Sequence, residues 1–167
     1  MEYLEINKAF VIGEQGLVDQ LESSGIKCIG GPQITKINIE PEEYENYELD
    51  PEVGAVIVGH DSDIHYRKFS LAWLYIQNGA KFIACNDDMM KGDSLPSTKV
   101  ITKTITYVTG LTPFICGKPN SYVLDSISKE YGLTPEDETF KANEDKIPTY
   151  IYFTKMQKTD SYLVFSG

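Results

Sequence analysis

The fold is decided by residues 53–88, which read VGAVIVGHDSDIHYRKFSLAWLYIQNGAKFIACNDD. The apolar run 55–58 predicts a buried strand that ends at Gly59, and residues 66–78 carry apolar side chains at the spacing of a helix. A second apolar run, 81–85, predicts another strand. A strand, a helix and a strand within about 30 residues are typical of a right-handed parallel crossover. This segment therefore predicts a parallel sheet that is covered by helices.

Strands and helices also alternate on both sides of this segment. The predicted elements are strands at 9–12, 26–29 and 114–116 and helices at 14–24 and 119–131. The remaining segments are a long acidic connection at 32–52, a polar loop at 87–97 and two strand-like runs at 149–153 and 162–165. Such alternation predicts the α/β class, with a mostly parallel sheet flanked by helices.

The segment 98–109 fits two secondary structures. Ile101, Ile105 and Val108 have the spacing of a helix face, but residues 101–107 also show the alternation of a strand. The β-branched content favours a strand. The position between two predicted strands favours a helix, and a helix is therefore the prediction.

Polar residues follow the predicted strands at the points where the strands end. They are Glu14 after the first strand, His60 and Asp61 after 55–58, Asn86, Asp87 and Asp88 after 81–85, and Lys118 after 114–116. In parallel sheets, ligands gather at the carboxyl ends of the strands. The topology therefore predicts one crevice that these residues line.

The charge of the chain excludes two classes of partner. The net charge is −10, and residues 37–66 contain nine acidic side chains and no lysine or arginine. Nucleic acids and anionic membranes are bound by clustered basic side chains, which this surface does not offer. Since no stretch has the length and apolarity of a membrane span either, we predict no nucleic-acid partner and no membrane insertion.

The cysteines indicate a reducing compartment. Cys28, Cys85 and Cys116 are an odd number without paired spacing, and each lies in or beside an apolar run. Such cysteines are typical of reduced, buried thiols rather than of a disulfide framework. The N-terminal residues resemble neither a signal peptide nor a transit peptide. An intracellular location is predicted, with the cytoplasm favoured and an organelle left open.

Four segments together resemble a known family. They are VIGEQGL (11–17), GIKCIGGP (25–32), the whole stretch 53–88 and ICGKPNSYVLDSI (115–127). They are similar to the p-nitrophenyl phosphatase and phosphoglycolate phosphatase branch of the haloacid-dehalogenase superfamily. Its members have a catalytic core and an inserted α/β cap. The resemblance implies that residues 1–112 form a cap-like α/β domain. It also implies that 113–167 form a partial core-like segment, a remnant of the Rossmann-like core with a divergent tail.

The chemistry of that family requires several groups. An aspartate on the first core strand attacks phosphorus, a second aspartate protonates the leaving group, and a lysine and magnesium stabilise the phosphoryl group. The resemblance matches Lys118 with that lysine, whereas the nucleophile strand is expected before Met1. In the expected magnesium motif, Asn143, Glu144 and Thr149 depart from the family pattern. The predictions are a vestigial catalytic Lys118, no metal ligands and no cofactor, with magnesium as the alternative.

Asp61-Ser62-Asp63 has the Asp-x-Asp spacing of the family's nucleophile and acid, and it follows a buried strand. However, Ile64 and His65 come next, where the family has a glycine and a hydroxyl residue. The whole stretch 53–88 also aligns with the cap. We therefore predict that Asp61 lies on a substrate-facing loop and that Asp63 is a solvated acid.

The candidate site residues come from the same alignment with the cap. The substrate-binding candidates are Asp61, Tyr66, Lys68, Asn86 and Asp88. The histidines are predicted to face solvent, and three aromatic side chains are predicted to lie in the core or an interface; these residues are His60, His65, Phe69, Trp73 and Tyr75.

These residues lead to one main hypothesis and two alternatives. The main hypothesis is a catalytically inactive, phosphatase-like protein that acts as a structural or partner-binding subunit of a larger assembly. Because half of a parallel sheet exposes an edge and an apolar face, other protein chains are expected to cover 114–116 and 149–165. The first alternative is a magnesium-dependent phosphatase of small phosphate monoesters, with Asp61 as nucleophile or a core strand from another chain. The second is a sensor of phosphate or small molecules.

Overall fold

Five parallel strands form the central sheet of the computed structural model, which describes residues 6–34, 36, 40–91 and 95–117. In chain order the elements are β1 (Lys8–Ile12), α1 (Gln15–Ser23), β2 (Lys27–Gly30), a 3-10 turn (Gly31–Gln33), α2 (Pro41–Glu45), β3 (Ala55–Val58), α3 (Tyr66–Gln77), β4 (Lys81–Ala84), β5 (Met90–Lys91), β6 (Leu95–Pro96), α4 (Thr98–Thr109) and β7 (Phe114–Ile115). The strands of the sheet lie in the order β2-β1-β3-β4-β7, and each neighbouring pair is parallel. The predicted α/β class with a mostly parallel sheet is confirmed.

The strand register aligns the carboxyl ends of the central strands. Ile12 pairs with Val58, Val58 pairs with Ala84, and Ala84 pairs with Ile115. All four residues of β3 are buried, as expected for a strand with neighbours on both edges and side chains packed on both faces. Because the strands end at the same level, the loops that follow them start at one edge of the sheet.

One face of the sheet carries the main hydrophobic core. Phe10, Val56 and Val58 point to this face, where α3 and α4 cover them with Leu71, Tyr75, Ile101 and Ile105 among other side chains. The rings of Phe10 and Tyr75 stack with their centroids 5.3 Å apart, a contact that adds about 0.5–1.5 kcal/mol beyond burial. The core therefore ties α3 directly to the central strands.

The segment 98–109, which fitted two secondary structures, is helix α4. Several of its threonine hydroxyls donate to backbone carbonyls of the preceding turn, for example Thr102 to Lys99 (3.0 Å) and Thr109 to Ile105 (2.8 Å). Such bonds keep the polar oxygens of β-branched threonines satisfied within a helix. Gly110, in the left-handed conformation with φ +71, then ends the helix. The prediction of a helix is confirmed.

The acidic connection is not entirely irregular. Glu40 caps α2, and its backbone N–H donates to the carboxylate of Glu43 (3.1 Å) in a capping box. Farther along, the ammonium of Lys8 binds Asp50 (2.5 Å) and Glu52 (3.1 Å). The polar loop 87–97 likewise contains a short antiparallel ladder between β5 and β6. Both segments are thus more regular than their composition predicts.

Several predictions concern residues outside the described ranges. They are the helix 119–131, the strand-like runs 149–153 and 162–165, and nearly all of the proposed segment 113–167. The division at 112 stays a prediction, although β7 pairs with β4 in the same sheet as the residues before it. Within the described residues, no helix has the length and apolarity to cross a membrane.

Gly30 ends β2 in a conformation that only glycine adopts readily. Its φ is +102, and a Cβ atom at this position would lie 2.5 Å from the carbonyl oxygen of Val11. That oxygen belongs to the backbone of the neighbouring strand β1 and cannot turn away. The crossing from β2 into the acidic connection therefore depends on this glycine.

We expect Gly30→Ala to lower the free energy of unfolding by about 2 kcal/mol or more, because backbone strain and a close backbone contact add. Gly16→Ala is the matched control. Gly16 is an exposed residue of α1 with no atom within 4 Å of the new Cβ, so stability should stay equal or rise by up to about 1 kcal/mol. Urea denaturation followed by circular dichroism measures both. Equal stability of the two variants would contradict this account of Gly30.

Candidate functional site

The candidate site is the edge of the sheet where β1, β3, β4 and β7 end. The backbone N–H of Gly59 donates to the carbonyl of Ile12 (2.8 Å), and that of Cys85 donates to the carbonyl of Val58 (2.8 Å). These bonds continue the ladder one residue beyond the strands. The loops at 13–14, 59–65 and 85–88 are thereby held next to one another, as the topology predicted.

A buried ion pair organises the loop between β3 and α3. The ammonium of Lys68 lies 2.7 Å from the carboxylate of Asp61, and their side chains are only 1% and 3% exposed. Asp61 Oδ1 also accepts the backbone N–H of Asp63 (3.0 Å), and Lys68 donates to the carbonyl of Asp63 (3.4 Å). The first turn of α3 and the end of β3 are therefore joined by charge-assisted hydrogen bonds.

In this geometry Asp61 and Lys68 bind each other, whereas the sequence predicts that both bind substrate. Both are substrate-binding candidates, but in the structure each binds the other and is shielded from solvent. A carboxylate that is buried against an ammonium is also poorly placed to attack phosphorus. The pair is best described as the support of the loop, and a direct contact of either residue with substrate stays a prediction.

Asp63 lies on the surface beside this pair. Its side chain is exposed and forms an ion pair with Lys36. The hydrogen bond from Lys36 lowers the pKa of Asp63 below its usual value. The residue is thus a solvated acid, and it links the loop to the connection that follows β2.

The other three substrate-binding candidates lie at the same edge with different exposures. Tyr66 is 78% exposed at the start of α3, and Asp88 is exposed in the loop after β4. Asn86 is half-buried, and its amide oxygen is buried without a hydrogen-bond partner in the described part of the chain. A buried acceptor of this kind needs a donor, which makes Asn86 the candidate most suited to a ligand. Lys118 lies outside the described residues.

The histidines are not solvent-facing as predicted. Both are half-buried: His60 Nε2 lies 3.8 Å from a carboxylate oxygen of Glu14, and His65 Nε2 lies 3.3 Å from the carbonyl oxygen of Ile34. The reason is that the loop after β3 is packed between the loop after β1 and the connection after β2. His60 Nδ1 is also buried without a partner among the described residues.

Sequence reasoning did not single out one further ion pair at this edge. Lys99, in the first turn of α4, lies 2.8 Å from the carboxylate of Asp87, and its backbone N–H donates to the carbonyl of Asp88 (2.9 Å). The pair fixes the start of α4 against the loop after β4. The signal in the sequence is weak, because a lysine after a serine N-cap and an aspartate in a loop are both common.

All three cysteines carry free thiols that are partly buried. They pack against the apolar face of the sheet that α1 covers. Burial raises the pKa of Cys85 to about 11, and it also raises the pKa of Cys28 and of Cys116. Neutral thiols are weak nucleophiles, so the cysteines contribute packing rather than chemistry at this edge.

The described residues do not form a metal site. No group of three or more histidine, cysteine, aspartate or glutamate side chains converges anywhere within 6–34, 36, 40–91 and 95–117. Magnesium takes oxygen ligands from converging carboxylates. The carboxylates at the sheet edge are instead engaged with lysines, as Asp61 and Asp87 are.

Comparison with known proteins identifies relatives along nearly the whole chain. A 4-nitrophenylphosphatase from Schizosaccharomyces pombe is 32% identical over 96% of this chain and 55% of its own length. Phosphoglycolate phosphatase 2 from Arabidopsis thaliana is 28% identical over 99% of this chain and 58% of its own length. Among solved structures, NagD from Escherichia coli K-12 has a TM-score of 0.61 and 26% identity over 79% of this chain and 45% of that chain. No protein-family model matches the sequence. The chain thus spans about half the length of the relatives it matches.

These comparisons contradict the hypothesis of a catalytically inactive structural subunit. The matched relatives are named as phosphatases, and nothing in the described residues shows a loss of activity. The hypothesis rests on a missing nucleophile strand and on the departures at Asn143, Glu144 and Thr149 from the family's magnesium motif. A chain that spans about half of its relatives does not show what the whole protein lacks, so this reasoning is wrong.

The prediction of no cofactor is contradicted as well. One structural neighbour, a glycerol phosphate phosphatase from Mycobacterium tuberculosis, was solved in complex with magnesium. That neighbour has a TM-score of 0.59 and 17% identity over 78% of this chain and 36% of its own. The predicted protein partners at 114–116 and 149–165 stay predictions.

We expect Asp61→Asn to lower the free energy of unfolding by about 3–5 kcal/mol, because it leaves the ammonium of Lys68 buried without a counter-charge. Asp63→Asn is the matched control and should leave stability near the wild-type value, since Asp63 is exposed. Urea denaturation of both variants measures the difference. The double variant Asp61→Asn with Lys68→Met should be less destabilised than the two single effects combined. Equal stability of Asp61→Asn and Asp63→Asn would contradict the account.

We expect alkylation by iodoacetamide at pH 8 to be fastest at Cys28 and slowest at Cys85. The raised pKa of Cys85 makes its thiolate rare at this pH, and its burial restricts access. Mass spectrometry of the labelled peptides over time gives the three rates. The unfolded chain is the control, in which the rates should become similar. A native Cys85 that reacts as fast as in the unfolded chain would refute this interpretation.

Proposed function

We propose that the protein hydrolyses small phosphate monoesters with magnesium as its cofactor. The homologues and structural neighbours of this chain support the proposal. They are haloacid-dehalogenase-superfamily phosphatases of the p-nitrophenyl phosphatase and phosphoglycolate phosphatase branch. The family resemblance carried by residues 53–88 is confirmed by these relatives. The protein thus resembles phosphoric-monoester hydrolases. Its own activity and substrates are the proposal.

One observation carries the proposal. The similarity to the Schizosaccharomyces pombe 4-nitrophenylphosphatase covers 96% of the chain. It therefore includes the packing segments, the strand ends and the loops that carry polar side chains. A likeness that was limited to the core of an α/β sheet would support the fold alone.

We assign substrate selection to the described loops. Residues 1–112 correspond in this proposal to a cap-like domain, and its sheet edge presents Tyr66, Asn86 and Asp88. The exposed phenol of Tyr66 and the unpaired amide oxygen of Asn86 can bind the part of the substrate that leaves with its oxygen. The ion pair of Asp61 and Lys68 holds the start of α3, where Tyr66 lies.

We assign phosphoryl transfer to residues outside the described ranges. Asp61, the described aspartate with the spacing of a nucleophile, is buried and paired with Lys68. Lys118 is the proposed electrostatic catalyst, because a lysine that follows a strand end can stabilise charge on phosphoryl oxygens. Magnesium supplies charge neutralisation when it is bound, but its ligands are not among the described residues. We therefore attribute no step to it here.

We expect the protein to release phosphate from p-nitrophenyl phosphate, phosphoglycolate or glycerol phosphate, with turnover that requires magnesium. Phosphate release is measured with each substrate, with magnesium and with a chelator. Lys118→Ala should lower kcat by about 10²–10³-fold, whereas Lys81→Ala, an exposed lysine at the start of β4, should have no effect.

The outcomes separate the two parts of the proposal. The absence of turnover above buffer on all three substrates would refute the phosphatase function. Turnover that is unaffected by Lys118→Ala would leave the phosphatase function in place and refute the assignment of Lys118.

A further inference from the structure

Two of the three cysteines lie side by side where neighbouring strands end. Ala84 of β4 pairs with Ile115 of β7, and the two strands are parallel. The backbone N–H of Cys116 then donates to the carbonyl of Ala84 (2.9 Å). The register therefore places Cys85 and Cys116, which directly follow the paired residues, opposite each other at one level of the sheet.

The two thiols also lie on the same face of the sheet. Paired residues of parallel strands point their side chains to the same side, and both cysteines pack against the apolar cluster that contains Ile57 and Ile83. Burial raises the pKa of both thiols, and the negative charge of the Cys116 thiolate acts on Cys85 in the same direction. Such an electrostatic effect requires that the two groups are near each other. The two sulfur atoms thus share one apolar environment.

The spacing of the two strands is close to the spacing that a disulfide needs. Neighbouring strands lie about 4.8 Å apart, and the Cα atoms of disulfide-bonded cysteines lie about 4.4–6.8 Å apart. Their Cβ atoms are about 3.8 Å apart, so the end of β7 has to move towards β4 by about 1 Å. Because β7 has two residues and is the last strand of the described sheet, this movement is easier there than at a central strand.

From this arrangement we infer that Cys85 and Cys116 form a reversible disulfide when the protein meets a small-molecule disulfide such as oxidised glutathione. The third cysteine, Cys28, lies on β2, at the opposite edge of the described sheet, and takes no part. In reducing compartments, protein disulfides are usually transient and respond to the redox state. The reduced thiols contribute packing, and the pair is in addition a site of oxidative modification.

The exchange has two steps and transfers two electrons. The thiolate of Cys116 attacks one sulfur of the small disulfide, whose S–S bond breaks, and one small thiolate leaves and takes up a proton. The thiolate of Cys85 then attacks the sulfur of Cys116 and releases the second small thiol. The protein thiols are oxidised, and their two protons end on the two small thiols. Because the raised pKa values keep both thiolates rare, the exchange accelerates as the pH rises.

The consequence for phosphoryl transfer rests on the proposed phosphatase function. Lys118, the proposed electrostatic catalyst, follows Cys116 by two residues in the sequence. A displacement of about 1 Å at an active site can lower turnover about a hundredfold. The disulfide should therefore lower kcat, because it moves the strand end from which the chain continues to Lys118.

Mass spectrometry of the folded protein after incubation with oxidised glutathione at pH 8 tests the disulfide. The expected products are one peptide pair joined through Cys85 and Cys116 and one glutathione adduct at Cys28, and dithiothreitol should reverse both. Cys85→Ser is the matched variant and should retain glutathione on Cys116, because no second thiol displaces it. In the urea-unfolded chain the selectivity for this pair should be lost. Circular dichroism establishes that the variants are folded.

The turnover of p-nitrophenyl phosphate by the same samples tests the consequence. Oxidised wild-type protein should lose kcat about tenfold or more and regain it with dithiothreitol. Cys28→Ser should behave in the same way, whereas Cys116→Ser, which cannot form the bond, should keep its turnover.

The outcomes separate the disulfide from its effect on activity. The disulfide is overturned if Cys116 of the folded wild-type protein stays unmodified or keeps its glutathione, or if Cys28 enters disulfides as often as Cys85. A disulfide that leaves kcat unchanged overturns the effect on phosphoryl transfer alone. If the reduced protein has no turnover, the proposed phosphatase function fails, while the mass spectrometry still decides on the disulfide.

Discussion

The described structure depends on the ion pair between Asp61 and Lys68. Two charges that are almost fully removed from water are stable only when each satisfies the other. This requirement determines the path of the chain between β3 and α3, because Asp61 must turn back to meet the first turn of the helix. The exposed position of Tyr66 and the contacts of the loop with the connection after β2 follow from this turn of the chain. The apolar core orients α3 over the sheet, and the ion pair determines where α3 begins.

The charged side chains of this protein are not spread evenly over the structure. At the sheet edge, acidic side chains are individually paired with lysines, as in Asp61 with Lys68 and Asp87 with Lys99. These pairs build a rigid set of loops beside the half-buried Asn86. The proposed phosphatase function concerns this edge of the sheet.

The fold could be predicted from local patterns because its central strands are almost fully buried. Runs such as 55–58 are apolar throughout, and only a strand between two layers fits their length. Helix α4 could be predicted only from its neighbours, since its threonines and isoleucines suit a strand as well. The ion pair of Asp61 and Lys68 was not predicted as a pair. Its two residues are seven positions apart across a loop and a helix start, and each was assigned to substrate instead. The histidines were placed in solvent because the sequence does not show how loops pack on one another. The prediction of an inactive protein is wrong for a different reason: absent residues are not evidence in a chain that spans about half the length of its relatives.

The buried pair also constrains how this protein can change over generations. Replacing either Asp61 or Lys68 alone passes through a form with one unbalanced buried charge, which selection against unstable proteins removes. A lineage can exchange the pair for two apolar residues only if both codons change almost together. The two positions should therefore drift as a unit, whereas exposed positions such as Asp63 and Lys36 are free to vary one at a time.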